Sequence, residues 1–372
     1  MMEAGGRVIG PGRSRLAASG AAVMLIVVAL LAGCTSPYSR LRDEDANQRL
    51  AALKSRCPKP ETTLVPTAGP PAARVAVHRV RGSAGAPVVV FIHGAMSDRE
   101  TWRFIAGALS TSCELWLVDL PGCGGSDCPD PARFGEGVYS PDALAARVRQ
   151  AIAEVASESG ASRVTLVGHS LGASIALRMA IEGGTPEIER LVLISPLDVA
   201  VGPPNAVIRE LATASALKLS LAQTTGVLRD RFSAATLESV DDSSLALRQE
   251  CDKRLSFFDS SRHTRALQAT LRQAVPWDRD HPDWDRIDEI VAGYGRVSVP
   301  SLIITGRRDT VLPPSMGYKL AAELRGSTLV PLPRVMHSPQ LEAPEESSRL
   351  IAEFVRESRV TSEYAVRFRQ AE

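Results

Sequence analysis

The chain lacks the marks of several large functional classes. Its 43 basic and 42 acidic residues leave a net charge of +1. There is thus no basic field of the kind that holds nucleic acid, and no polybasic patch to strengthen contact with a membrane. No H-E-x-x-H pair, zinc-type spacing or phosphate-binding glycine loop occurs. The cluster Asp278, Asp280, His281, Asp283 and Asp285 has neither the glycine nor the terminal glutamate of a calcium loop, and reads as a solvated helix start. Any chemistry is therefore expected to need no metal and no cofactor. No internal repeat is evident, and the apolar run at residues 21–31 is too short to span a bilayer comfortably.

What is present begins with a leader. Arg7, Arg13 and Arg15 precede that apolar run, which ends Leu31-Ala32-Gly33-Cys34. The ending resembles a bacterial lipobox. The resemblance implies removal of residues 1–33, diacylglycerol on Cys34 and an exported protein anchored to a membrane of the cell envelope. Thr35 after the cysteine leans towards the outer membrane in a Gram-negative host. An uncleaved anchor or a plain secretory signal are the alternatives. Residues 34–72 are polar, then proline-rich, and are expected to form a flexible tether with one short helix near residues 39–54. Cys57, Cys113, Cys123, Cys128 and Cys251 remain, an odd number. In an oxidising compartment Cys123 with Cys128, and Cys57 with Cys113, are plausible disulfides, and buried free thiols are the alternative.

From residue 74 the pattern alternates. Apolar runs at 75–80, 88–92, 115–118, 164–167, 191–194, 302–305 and 328–331 suit strands. Helical periodicity suits 142–157, 171–182, 315–324 and 344–357. The expected architecture is α/β, a mostly parallel sheet covered on both faces. Residues 73–199 and 297–358 form its core, and 359–372 a C-terminal tail. Residues 200–296 break the rhythm and are expected to form a mainly helical cap over the sheet's C-terminal edge, where ligands bind in open α/β folds. A second domain with an unrelated role is the alternative.

The sharpest motif is Gly168-His169-Ser170-Leu171-Gly172, set between an apolar strand and a helical stretch. A serine on such a turn projects its hydroxyl outward, and the glycines permit a backbone that side chains would obstruct. The following helix aims N–H groups at the place where negative charge develops during acyl transfer. A serine hydroxyl is a poor nucleophile at neutral pH, so a histidine must take its proton and a carboxylate must orient that histidine.

Four segments together resemble the α/β-hydrolases over residues 74–358. They are the Phe91-Ile92-His93-Gly94-Ala95 turn, the loop carrying Asp119, Pro121, Gly122, Gly124 and Ser126, the turn at Ser170, and Thr305-Gly306-Arg307-Arg308-Asp309 with His337 downstream. The resemblance implies the chain order serine, aspartate, histidine, met here by Ser170, Asp309 and His337. It also implies oxyanion donors at the backbone N–H groups of Leu171 and Ala95, with Met96 as a substitute for the latter. Asp198 is an alternative acid, and a turn-forming role is the alternative for Asp309.

Among the other histidines, His169 is fixed inside the turn, His93 is read as structural and His78 as solvent-facing on a strand. His263 and His281 fall in the cap. Asp119 is read as structural, and Trp102 as packing on the first helix or lining the acyl site. The expected function is a serine hydrolase cleaving a lipid or small-molecule ester through an acyl-enzyme. The same residues also serve hydrolysis of C–C, thioester or amide bonds. A rival of another class is a lipoprotein that binds an apolar ligand or a protein partner on this scaffold without turnover. The serine itself argues against relatives that need an aspartate nucleophile.

Overall fold

A computed structural model describes residues 44–197, 206–228, 230, 258–275, 277–278 and 281–368. The leader, Cys34, Asp198, Cys251 and Asp280 lie outside these residues, so the lipidation site and the alternative acid are not among them.

The strands form because short apolar runs can be buried on both faces. Val88–Ile92 (β3) is buried at every position, as is Ser301–Gly306 (β9). Glu114–Asp119 (β4), Arg163–His169 (β5), Glu187–Ile194 (β6) and Thr328–Leu332 (β10) are nearly so. With Glu61–Thr67 (β1), Ala73–Val80 (β2) and Val366–Arg367 (β11) they build a nine-stranded sheet in the order β1-β2-β4-β3-β5-β6-β9-β10-β11. Every pairing from β4 to β10 is parallel. Within this sheet the antiparallel pairs are those where β2 meets β1 and β4, and where β10 meets β11; Trp277–Asp278 (β7) and His281–Pro282 (β8) form a separate antiparallel pair. The doubly covered, mostly parallel sheet expected from the sequence is the one observed.

Helices cover both faces. Pro141–Ser159 starts on Ser140, whose side chain accepts from the Ala143 N–H, carries proline in its first turn, and stops at Gly160 in the left-handed conformation. Its apolar stripe (Leu144, Val148, Ile152, Val155) joins the core with Leu171–Glu182 on the same face. Arg103–Leu109 and Pro344–Glu357 bury their apolar sides in the core of the opposite face.

Part of the expected tether is ordered sheet. β1 pairs with β2 from Glu61 against Arg79 to Thr67 against Ala73. Only Val65 and Thr67 of β1 are buried, and Pro66 is accommodated because an edge strand need not donate there. A helix at Glu44–Ser55 precedes it. The tail likewise contributes β11, which closes the other edge. Neither expected disulfide forms: Cys57, Cys113, Cys123 and Cys128 are all free thiols. Cys113 is packed into the core against Trp102 and its neighbours, and Cys128 meets the Tyr139 hydroxyl at 3.6 Å.

Between β6 and β9 the described residues include helices at Ala206–Thr213, Ala216–Thr224, Ser261–Ala274 and Trp284–Tyr294. The first three share a small apolar core of their own with Leu211, Leu219, Phe258, Leu267 and Leu271. Gln268 ties two of them by donating to the Leu211 and Ala214 carbonyls, each at 2.8 Å. Arg265 pairs with Asp130 and Arg272 with Glu136, linking Ser261–Ala274 to the loop after β4. These pairs are partly exposed, so water screens them and they contribute little stability. Asp283 accepts from the Arg286 N–H and caps Trp284–Tyr294, as a helix start should.

Candidate active site

The turn between β5 and the helix Leu171–Glu182 holds Ser170 at φ 52°, ψ −116°, a conformation that L-residues rarely adopt. The surroundings enforce it. The Ser170 N–H donates to the Ile194 carbonyl at 2.9 Å, and the Ser170 carbonyl accepts from Leu197 at 3.1 Å. No bulk is tolerated on either side. A Cβ on Gly168 would come within 2.3 Å of the Gly172 oxygen, and one on Gly172 within 2.1 Å of the Ile92 oxygen. The helix therefore starts tightly against the end of β3, with Ser170 as its N-cap residue.

Asp309 sits just beyond β9. One of its oxygens accepts from the N–H groups of Val311 and Leu312, both at 2.9 Å. The other lies 2.9 Å from His337 Nδ1. Asp309 is thus a turn former and the partner of an imidazole at once. Its side chain is 1% exposed, so the pair is shielded from water. A charged acceptor with three donors is well satisfied.

His337 follows β10 and is held at three places. His169 Nε2 lies 2.9 Å from its carbonyl oxygen, and the two rings pack with centroids 5.0 Å apart. The remaining grip comes from Glu342, whose carboxylate accepts from the Met336 N–H at 2.9 Å and the Ser338 N–H at 2.8 Å, one on each side of His337. Gly306 completes the fit, since a Cβ there would strike the Met336 oxygen at 2.0 Å. With Nδ1 committed to Asp309, Nε2 is the ring nitrogen left for proton exchange.

Ala95 and Leu171 line one narrow cleft together with Met96, Cys123 and, from the inserted segment, Leu267 and Thr270. Met96 has φ 57°, a second strained residue beside Ser170. The cleft has a free volume of about 20 Å³, on the order of one or two water molecules. Burial pushes the Cys123 thiol well above its ordinary pKa, so at neutral pH it contributes an apolar wall rather than a thiolate.

Other residues from the sequence reading fall outside this assembly. His93 Nε2 accepts from the Leu120 N–H at 2.9 Å and its Nδ1 faces the Gly94 carbonyl at 2.8 Å, a structural role. Trp102 is fully buried against Phe91 and edge-on to His169. His263 is half-buried at the start of Ser261–Ala274, and His281 is exposed. His78, expected to face solvent, is instead 4% exposed. Its Nε2 lies 2.9 Å from Asp119 and its Nδ1 lies 2.8 Å from the Thr62 hydroxyl. Thr62 of β1, Asp119 and Arg99 enclose its ring, which is why alternation in β2 misled. Burial alone would raise the Asp119 pKa, but the His78 contact, the nearby His93 and the N–H groups of Gly125 and Arg99 outweigh it, and the net shift is downward. No cluster among the described residues has the makings of a metal site.

Residues 89–350 match the model of the alpha/beta hydrolase family. A pimeloyl-[acyl-carrier protein] methyl ester esterase of Nitrosomonas europaea is 26% identical over 264 residues, covering 70% of this chain and 92% of that protein. Other relatives match locally: the aligned part spans 7% of the chloroplastic protein PHYLLO of Arabidopsis thaliana and 13% of a bifunctional biotin biosynthesis protein of Saccharophagus degradans. Among solved structures, an esterase of Thermogutta terrifontis superposes with a TM-score of 0.60 at 20% identity, covering 81% of this chain and 100% of its own. A 2-hydroxy-6-oxo-6-phenylhexa-2,4-dienoate hydrolase of a Rhodococcus strain gives 0.61 at 18% identity, covering 80% and 100%. These superpositions speak for the fold.

Proposed function

Because the chain belongs to the alpha/beta hydrolase family, we propose that it is a serine hydrolase cleaving a carboxylic ester through an acyl-enzyme, with Ser170, His337 and Asp309 as its triad. The observation that carries this reading is the buried His337–Asp309 pair, at 2.9 Å, whose imidazole packs with ring centroids 5.0 Å from His169, the residue before a serine on a strained strand-to-helix turn. A binding protein would have no use for that combination.

The chemistry follows from the groups. Ser170 Oγ attacks the ester carbonyl as its proton passes to His337 Nε2, and Asp309 stabilises the imidazolium and fixes its tautomer. The backbone N–H groups of Leu171 and Ala95 receive the oxyanion, at the positive end of the helix Leu171–Glu182. The tetrahedral intermediate expels the alcohol, which takes the proton from His337. Water then attacks the acyl-serine by the same route, releasing the acid and restoring the serine.

The inserted helices act as a cap. Leu267 and Thr270 reach the cleft at Ala95 and Leu171, so the acyl or alcohol group is selected there. The nearly filled cleft implies that Ser261–Ala274 shifts when substrate enters. The leader suggests an exported enzyme anchored at Cys34, whose substrates are lipid esters or small esters reaching the cell envelope.

A series of p-nitrophenyl esters of rising chain length, assayed on wild type and Ser170→Ala, tests the reading. The variant should lose activity by on the order of 10⁴-fold or more, and wild type alone should label with a fluorophosphonate. Hydrolysis surviving the substitution, or a folded wild type that does not label, overturns it.

A further inference from the structure

A second cavity, larger than the cleft at Ala95 and Leu171, lies along the outer side of Leu171–Glu182, between that helix and Trp284–Tyr294. Its free volume is about 250 Å³, more than the roughly 150 Å³ that suffices for benzene in an apolar core. Leu177, Ile181, Leu197 and Ile290 give it an apolar wall. Arg178, Arg286 and Arg296 line the rest, with Asp142, Glu182 and Glu289 at the same cavity.

The arginines are incompletely answered. Arg178, 14% exposed, pairs with Asp142 through one Nη, yet its Nε is buried with no hydrogen-bond partner among the described residues. Arg286 donates to the Gln273 carbonyl and has no ion-pair partner among the described residues. Burial, and next the charge of Arg178, push the Arg286 pKa down, the sign of two guanidiniums that share a desolvated space. Arg296 is exposed at the mouth.

We propose that this cavity binds a monoanionic amphiphile, an alkyl carboxylate, with the carboxylate between Arg178 and Arg286 and the chain along Leu177, Ile181 and Ile290. A carboxylate matches the flat fork of a guanidinium. The three acidic residues of the lining balance the three arginines formally, so the attraction comes from the local Arg178 and Arg286 pair and not from a net field, and a second negative charge, as on phosphate, would add repulsion from Asp142, Glu182 and Glu289. Ser174 and Leu197 form one end of the cavity, and Leu197 holds the Ser170 carbonyl, so an occupant would press on the support of the Ser170 turn. The site does not depend on the hydrolase reading.

Calorimetric titration of the folded protein with octanoate tests this, with octylamine and inorganic phosphate as controls. Octanoate should bind saturably, and Arg286→Gln should weaken it at least tenfold. Ile290→Trp, which fills the cavity without touching a charge, should do the same if Arg286→Gln fails to fold. Binding should survive covalent labelling of Ser170. No saturable binding of octanoate, equal binding of octylamine or phosphate, indifference to both variants, or loss on labelling Ser170 would each overturn the assignment.

Discussion

His169 Nε2 and the His337 carbonyl oxygen lie 2.9 Å apart, across 168 residues of sequence. A carbonyl only accepts, so His169 donates from Nε2 and its tautomer is set by the contact. The residue next to Ser170 thereby holds the backbone of the histidine proposed to serve it. His169→Phe keeps the ring packing and removes the donor. The kcat for p-nitrophenyl butyrate should fall roughly 10- to 100-fold, as expected for a small misplacement of a catalytic group, with KM almost unchanged. His169→Gln should recover part of the loss. An unchanged kcat in the phenylalanine variant would reduce the contact to packing.

Asp309→Asn separates orientation from turn formation. The amide oxygen can still accept from Val311 and Leu312, so the fold should persist, while the imidazole loses its charged partner. A fall in kcat of about 10⁴-fold with little change in melting temperature is expected. A drop of less than tenfold would shift the acid's role to another carboxylate, Asp198 first.

Glu342 is the residue that sequence reasoning missed. Its carboxylate grips the backbone on both sides of His337. Glu342→Ala leaves two N–H groups unanswered and should lower stability by about 1–3 kcal/mol. Denaturant unfolding measures that loss, and kcat should fall with it. Full activity in a destabilised variant would mean that the His337 loop keeps its shape unaided.

Gly172→Ala tests the tightness of the turn. The added methyl meets backbone oxygen at 2.1 Å, which no rotamer change relieves. Loss of soluble expression, or destabilisation of about 1–3 kcal/mol with activity lost, is expected. A fully active, stable alanine variant would refute the close approach of helix and β3.

Acid should release the Asp119 contribution. Its folded pKa lies below the ordinary aspartate value, so the unfolded chain binds the proton first as pH falls. The stabilisation is complete above about pH 4, near the unfolded pKa, and is lost as pH drops through the folded value. Asp119→Asn should cost about 1–3 kcal/mol at pH 7 and flatten the fall of melting temperature below about pH 4. An equally steep fall in the variant would assign it to other carboxylates.

The core strands were legible because parallel strands buried on both faces read as continuous apolar runs: residues 88–92 and 302–305 fall within β3 and β9. The expected helix at 344–357 coincides with Pro344–Glu357. β1 was not legible, since proline and exposed threonines masked an edge strand held by pairing with β2, by Val65 in the core and by Arg147 on Thr67. His78 was misjudged because its burial depends on Thr62, Asp119 and Arg99 around it and not on its own strand. The expected Cys123–Cys128 and Cys57–Cys113 pairs failed because Cys113 and Cys123 are committed to packing. The motif spacing singled out Ser170, Asp309 and His337 as candidates; the coordinates add that Asp309 meets His337 and that His169 and Glu342 brace the latter.

The long excursion between β6 and β9 leaves and rejoins the sheet at adjacent strands, with Leu191 beside Ser301. Closure entropy grows only logarithmically with length, about 0.6 kcal/mol per doubling, so the floor of the molecule hardly feels what is spliced above it. Ceiling and floor can therefore diverge at separate speeds: new selectivity can be acquired by exchanging the upper storey while the groups around Ser170 stay in register.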